Sequence, residues 1–408
     1  MLTCLRRPAQ AAELPLGLKS FQLPMHHSTH RRHGPTLLAA LLLSVASSTA
    51  VAQSAAVVHI GVAMPLSGPL EPLGTGVLRG AQLAVDEINA AGGIKAGGGS
   101  FRLALVGIDD RGDANDAAQV AIQLASQRVV AVVGHLSSAS STQAALVYAE
   151  AGIAQVSPSS SHPFLTRMGY ETVNRVVGND RRQGEIMALY AVKKLKSASV
   201  AVITDDSEYG DVLVRAFANA ADLLGARVVF NGAIPQGSAN VAAALATVKA
   251  VGPDAVYFGG MTEQAVEIAV ALRGLGFKGP LLLGDGACEE AFIAAAAGSA
   301  ANMHCTVGEP GVERLPQGRA FAARYRKRFG VEPTVYAPYA YDAVQAIAQA
   351  LRVAGDTEPQ AVVEALRAVN LQGVTGPIAF DRRGDLVDAP FSVFRTDGKR
   401  LRFVETIR

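Results

Sequence analysis

The sequence predicts an α/β protein of two lobes, each built on a parallel sheet covered by helices on both faces. Three observations predict it. Short, β-branched, nearly all-apolar runs alternate with amphipathic helical stretches, the pattern of strands buried on both faces. That rhythm runs from residue 57 to about 156, crosses over between residues 174 and 178, and restarts. Behind the leader described below, 356 residues remain, too many for one core and natural for two.

Taken in order, Val57–Ala63 reads as a buried strand. The stretch 80–90 reads as a helix with Leu83, Ala84 and Ile88 on one side, stopped at Gly92-Gly93. Strand follows at 101–108, helix at 115–126, strand at 129–133, helix at 141–151 and strand at 153–156. After the crossing come helix 181–195, strand 198–203, helix 210–224, strand 226–230, helix 238–250, strand 254–258, helix 263–273 and strand 280–283. Gly376 to Asp381 reads as a late strand returning to the first lobe. The expected partition is therefore 54–178 plus 309–388 in lobe 1 and 179–308 plus 389–408 in lobe 2.

Residues 1–52 read as a leader. Residues 37–50 form an apolar run too short to span a bilayer, preceded by Arg31 and Arg32 and followed by the small-residue site Ala50-Val51-Ala52. Cleavage there exports the chain and leaves Gln53 first; the 24 residues before Met25 resemble no part of such a signal, so Met25 is the expected start. No Cys follows the apolar run to anchor a lipid, and no later stretch reaches roughly 18 unbroken apolar residues. The chain beyond the leader has 32 basic and 34 acidic residues, a balance of −2 that offers nucleic acid no basic excess. Two of the three cysteines, Cys288 and Cys305, lie beyond the leader. In an oxidising compartment they either form a disulfide or stay as two buried thiols.

Ligands of open α/β sheets sit at the carboxyl ends of the strands. There the first lobe offers two uncharged, serine-rich loops: Gly134-His135-Leu136-Ser137-Ser138 running into a helix, and Ser157-Pro158-Ser159-Ser160-Ser161. One such loop alone is best read as helix caps and turns. Two at one sheet edge offer hydroxyl and backbone donors for a carboxylate or phosphate. The second lobe offers Tyr209 after its first strand and Asp285, between Gly284 and Gly286, after its fourth. A carboxylate facing an anion site suits an ammonium group, and together the two walls describe a receptor for a zwitterion.

Other chemistries find no support. Gly74-Thr75-Gly76-Val77-Leu78-Arg79-Gly80 only approximates a dinucleotide fingerprint, with the third glycine one place late. There is no GxSxG, HExxH, CxxC or P-loop motif, and His59, His135, His162 and His304 are not at metal-ligand spacing. No cofactor, metal or catalytic residue is expected, and the protein is read as a non-enzyme.

Met64-Pro65-Leu66-Ser67-Gly68, the helix ending in Gly92-Gly93-Ile94, Gly134-His135 with its serines, and Ser157-Pro158 together resemble the type I periplasmic binding proteins, in particular the leucine/isoleucine/valine-binding branch. The similarity runs from about residue 57 to the C-terminus and rests on the order and spacing of these motifs. It implies two Rossmann-like lobes joined by three crossovers and closing over a small amino-acid-like ligand, in a periplasmic monomer serving the permease of an ABC importer. Carried over by position, Ser138, Ser159 and Ser161 would hold an α-carboxylate with Ser160 nearby. Tyr209 would line the pocket, Asp285 would take the ammonium, and Tyr336 would cover the side chain. Leu73 and Met261 stand where that branch commonly has aromatics, so the ligand need not be leucine. A ligand-sensing module of the same fold, acting on a regulator, is the alternative; the export signal favours transport.

Overall fold

The computed structural model describes residues 56–96, 99–235, 237, 241–308 and 312–408. The leader, its apolar run and its cleavage site lie outside the described residues, as do residues 238–240 at the start of one expected helix.

The first sheet has six strands in the order β2-β3-β1-β4-β5-β6. They are β1 (Ala56–Met64), β2 (Ile94–Ala96), β3 (Gly99–Asp109), β4 (Ala131–Gly134), β5 (Ala154–Ser157) and β6 (Val173–Arg175). All neighbours are parallel except the edge strand β2. Helices α1 (Glu71–Ala90), α2 (Ala114–Ser126) and α3 (Ser138–Glu150) connect them.

The second sheet has seven strands in the order β15-β14-β11-β10-β9-β7-β8. Its parallel part is β7 (Ser199–Thr204), β8 (Arg227–Ala233), β9 (Ala255–Gly259), β10 (Leu281–Leu283) and β11 (Met303–Val307). The C-terminal hairpin of β14 (Phe391–Thr396) and β15 (Leu401–Ile407) extends it antiparallel. Helices α4 (Asp180–Leu189), α5 (Glu208–Leu223), α6 (Val241–Val251), α7 (Thr262–Gly274) and α8 (Glu290–Ala295) belong to this half.

The chain passes between the sheets three times: after β6, after β11, and before β14. Between the last two passages α9 (Pro316–Phe329), α10 (Ala337–Ala354) and α11 (Pro359–Leu366) pack back onto the first sheet, α10 lying along α1. The expected late strand is β13 (Pro377–Ala379). It pairs with β12 (Asn370–Gln372) in a two-stranded sheet of its own rather than joining the large one, although Ile378 is buried in the first core.

The Gly74 to Gly80 stretch, which only approximates a dinucleotide fingerprint, is helix. α1 starts at Glu71, with Pro at the first positions supplying a fixed φ suited to a helix start. Its glycines serve close packing: a Cβ at Gly74 would overlap the Pro65 carbonyl, one at Gly76 the Thr334 side chain, and one at Gly80 the Ala337 carbonyl. Helix propensity is sacrificed there so that α1 can touch β1's end and the start of α10.

A disulfide joins Cys288, after β10, to Cys305 on β11, with Cα atoms 5.4 Å apart. It closes a loop of sequence separation 17, for which chain entropy gives about 3 kcal/mol of stabilisation. The double variant Cys288→Ser, Cys305→Ser should lose about that much in urea unfolding. An unchanged midpoint would contradict the bridge's role.

Candidate ligand-binding site

A cleft opens between the carboxyl ends of the two sheets. Its lining includes Ser159, Ser161 and Tyr336 from the first half and Asp180, Gln183 and Asp285 from the second. Val177, Gly178, Val307, Gly308 and Phe391, at the three passages, form its apolar floor with Tyr339.

The serine wall is built from the inside outwards. His135, fully buried after β4, hydrogen-bonds through Nδ1 to the Asp110 carboxylate at 2.6 Å and through Nε2 to the Tyr148 hydroxyl at 3.1 Å. Burial, with the Asp110 charge beside it, pushes the Tyr148 phenol upwards and keeps it neutral. The carbonyl of His135 then lies 3.3–3.4 Å from the hydroxyls of Ser141, Ser157, Ser159 and Ser160, within hydrogen-bond reach of each. Arg175 on β6, fully buried, braces the second loop from behind. It donates to the carbonyls of Ser160 and His162 and pairs with Asp385 at 2.7 Å.

Among the serines the structure separates roles that spacing alone left merged. Ser137 is the N-cap of α3, accepting from Ser140 N–H at 3.0 Å. Ser138 opens that helix and accepts from His162 N–H at 3.2 Å; it is not among the cleft-lining residues. Ser160 is buried, with its hydroxyl 2.7 Å from that of Ser141 and its N–H given to Ser157, and it points into the loop packing instead of the cleft. Ser159 and Ser161 line the cleft; the Ser159 hydroxyl donates to the Leu136 carbonyl at 2.7 Å.

Tyr209, in the first turn of α5, is not among the cleft-lining residues; it stands behind Asp285, its hydroxyl donating to Asp285 Oδ1 at 2.5 Å and accepting from Gly286 N–H at 3.0 Å. Burial, then the Asp285 charge, raises the Tyr209 phenol well above its usual range. Neither glycine beside Asp285 adopts positive φ. They permit close approach instead: a Cβ on Gly284 would stand 2.7 Å from the Tyr209 hydroxyl, and one on Gly286 2.9 Å from Met261 Sδ. Outside the cleft lining, His162 reaches Glu208 at 3.2 Å.

Leu73 packs against the first core and Met261 is 53 % exposed at the start of α7; neither lines the cleft. Tyr336, the N-cap of α10, does. Sequence reading missed Asp180 and Gln183, both in the first two turns of α4. There an acid after the Asn179 cap looks like an ordinary partner of the helix dipole. It missed Arg175 as well, since one arginine in a strand gives no sign of being buried. Among the described residues no cluster of His, Cys, Asp or Glu could hold a metal, and no helix is long and apolar enough to cross a membrane.

Residues 57–400 match the periplasmic binding protein family. The chain belongs to that family. It is similar to an amino acid binding protein of Pseudomonas aeruginosa, 33% identical over 88% of this chain and 96% of the relative. It is also similar to the leucine-specific-binding protein of Salmonella typhimurium, 30% identical over 90% and 97%. Among solved structures it resembles a branched-chain amino acid transporter substrate binding protein from Streptococcus pneumoniae in complex with isoleucine. That match has 30% identity, TM-score 0.67, and covers 86% of this chain and 99% of the other. A substrate-binding protein from Desulfitobacterium hafniense in complex with Leu matches at 27% identity and TM-score 0.70, over 85% and 100%. The fold is that of the type I periplasmic binding proteins, with two parallel-dominated sheets.

The wall depends on the buried His135 and its partners, so truncating either partner should cost stability unequally. Asp110→Ala, which strips the histidine of its carboxylate in a dry site, should cost about 3 kcal/mol or more. Tyr148→Phe should cost about 1 kcal/mol. Denaturant midpoints of the two variants measure the difference, and equal small shifts would contradict the ranking.

Proposed function

We propose that this protein captures an α-amino acid in the cleft, outside the cytoplasm, and delivers it to the permease of an ABC importer. The observation that carries the reading is the pairing of unlike walls. Uncharged hydroxyls of Ser159 and Ser161 face the carboxylate of Asp285, and among the described residues no Lys or Arg lines the cleft. An α-carboxylate suits the first wall and an α-ammonium the second, each charge meeting donors or acceptors of the opposite kind. The side chain would lie over the apolar floor of Val177, Val307, Tyr339 and Phe391, under Tyr336. A branched-chain or related small side chain fits such a surface.

The relatives' names support amino acids as the ligand class, and the family's periplasmic setting agrees with a leader removed after Ala52. We read the protein as a monomeric carrier that holds and releases its ligand, and not as an enzyme.

A thermal-shift screen of amino acids, amides and small carboxylates identifies the ligand, since saturation at 100 times Kd stabilises by about 2.7 kcal/mol. With that ligand, Asp285→Ala should weaken binding at least a hundredfold by titration calorimetry, because a buried ammonium loses its partner. Ser161→Ala should cost less, since neighbouring donors remain. Parent-like binding by Asp285→Ala would place the ammonium, or the ligand, elsewhere.

A further inference from the structure

Asp285 stands in a short turn whose backbone needs holding. β10 ends at Leu283, and Asp285–Ala287 then form a single turn of 3-10 helix. The Cys288 N–H closes that turn on the Asp285 carbonyl at 3.0 Å. Gly284 and Gly286 flank the acid, so the chain on either side of it has the widest conformational freedom. From one side the Tyr209 hydroxyl holds the Asp285 carboxylate, and the Thr262 hydroxyl donates to the Gly286 carbonyl at 3.2 Å.

The far end of the turn is pinned by the disulfide. Cys288 is bonded to Cys305, which lies opposite Leu283 in the parallel pairing of β10 with β11. The bridge therefore returns the chain to the level from which the turn set out. Just beyond Cys305 on the same stretch come Val307 and Gly308, which belong to the apolar floor of the cleft. One covalent link thus joins the turn that carries the acid to the strand that leads into the floor. On an α-amino acid the ammonium and the side chain branch from one carbon. Acid and floor must keep a fixed spacing to receive both together.

We infer that the Cys288–Cys305 disulfide positions Asp285 for the ligand's ammonium, besides stabilising the fold. This rests on the reading of the cleft as an amino-acid site. Neither cysteine lines the cleft, so both act as positioning residues through the turn between them and the acid. The two roles are separable. Loop closure acts by restricting the unfolded chain and leaves the affinity of the folded protein unchanged. Positioning acts in the folded protein, where an unpinned turn has to be ordered each time a ligand binds.

Titration calorimetry without denaturant, using the amino acid found by the screen, tests this on two bridge-free pairs. One is Cys288→Ser, Cys305→Ser; the other is Cys288→Ala, Cys305→Val, whose apolar side chains keep the buried packing. Each folded pair should bind about tenfold more weakly than the parent. With Asp285→Ala already in place, removing the bridge should change affinity by no more than about twofold, because no carboxylate is left to misplace. If neither pair folds, dithiothreitol opens the bridge in the folded parent and in Asp285→Ala, and the same titrations follow. There the Sγ–Sγ bond breaks to two thiols as the reagent closes to its cyclic disulfide. Parent-like binding without the bridge would overturn the inference. An equal loss with and without Asp285 would also overturn it, since the bridge would then support the cleft as a whole. Either result beside weak binding by Asp285→Ala sinks this inference alone. Failure of every amino acid to bind, or parent-like binding by Asp285→Ala, overturns the reading beneath it.

Discussion

The contact between His135 Nδ1 and the Asp110 carboxylate, 2.6 Å long and sealed from water, is what the serine wall hangs from. It joins the loop after β3 to the loop after β4 and, with Tyr148 on α3, leaves the imidazole no second orientation. The His135 carbonyl is thereby aimed at the next loop, where four hydroxyls converge on it. Each of those bonds is long and modest alone. Together, in a dry setting where an unmade bond is costly, they fix two loops to each other without spending a charge. The wall that meets the ligand is consequently uncharged and preformed.

The other wall is built on the opposite principle. Asp285 keeps its carboxylate at the cleft through a phenol and two small neighbours, and Asp180 sits buried at a helix start, facing an Arg175 that is itself paired with Asp385. On the proposed reading, the two acids of the cleft lining suit a ligand that supplies an ammonium better than one that supplies only a carboxylate. Specificity of this kind comes as much from what is left unpaired as from what is matched.

The alternating strand–helix pattern is legible because strands such as β7 are buried along their whole length and so are apolar throughout their middle, from Val200 to Ile203. The sequence likewise points to Ser159, Ser161, Asp285 and Tyr336, which lie at strand ends or a helix start. The elements it hides are those whose residues read two ways. The Gly74–Gly80 stretch looks like a loop until its glycines are seen to let α1 touch two backbones. Asp180 looks like a helix-dipole acid, and Arg175 like a surface residue. Ser137, Ser138 and Ser160 are alike in composition and differ in their contacts, which for Ser138 and Ser160 come from 24 and 19 residues away. Buried polar networks are written in three dimensions, and a single sequence does not display their partners.

The central claim is that unlike walls read the two charges of one zwitterion. It is tested from the ligand's side by titrating the unmodified protein with the identified amino acid, its hydroxy-acid analogue lacking the amino group, and its amine analogue lacking the carboxylate. The account predicts that each analogue loses at least a hundredfold in affinity, because each leaves one wall with buried polar groups unmatched. A hydroxy acid that binds as tightly as the amino acid would contradict it.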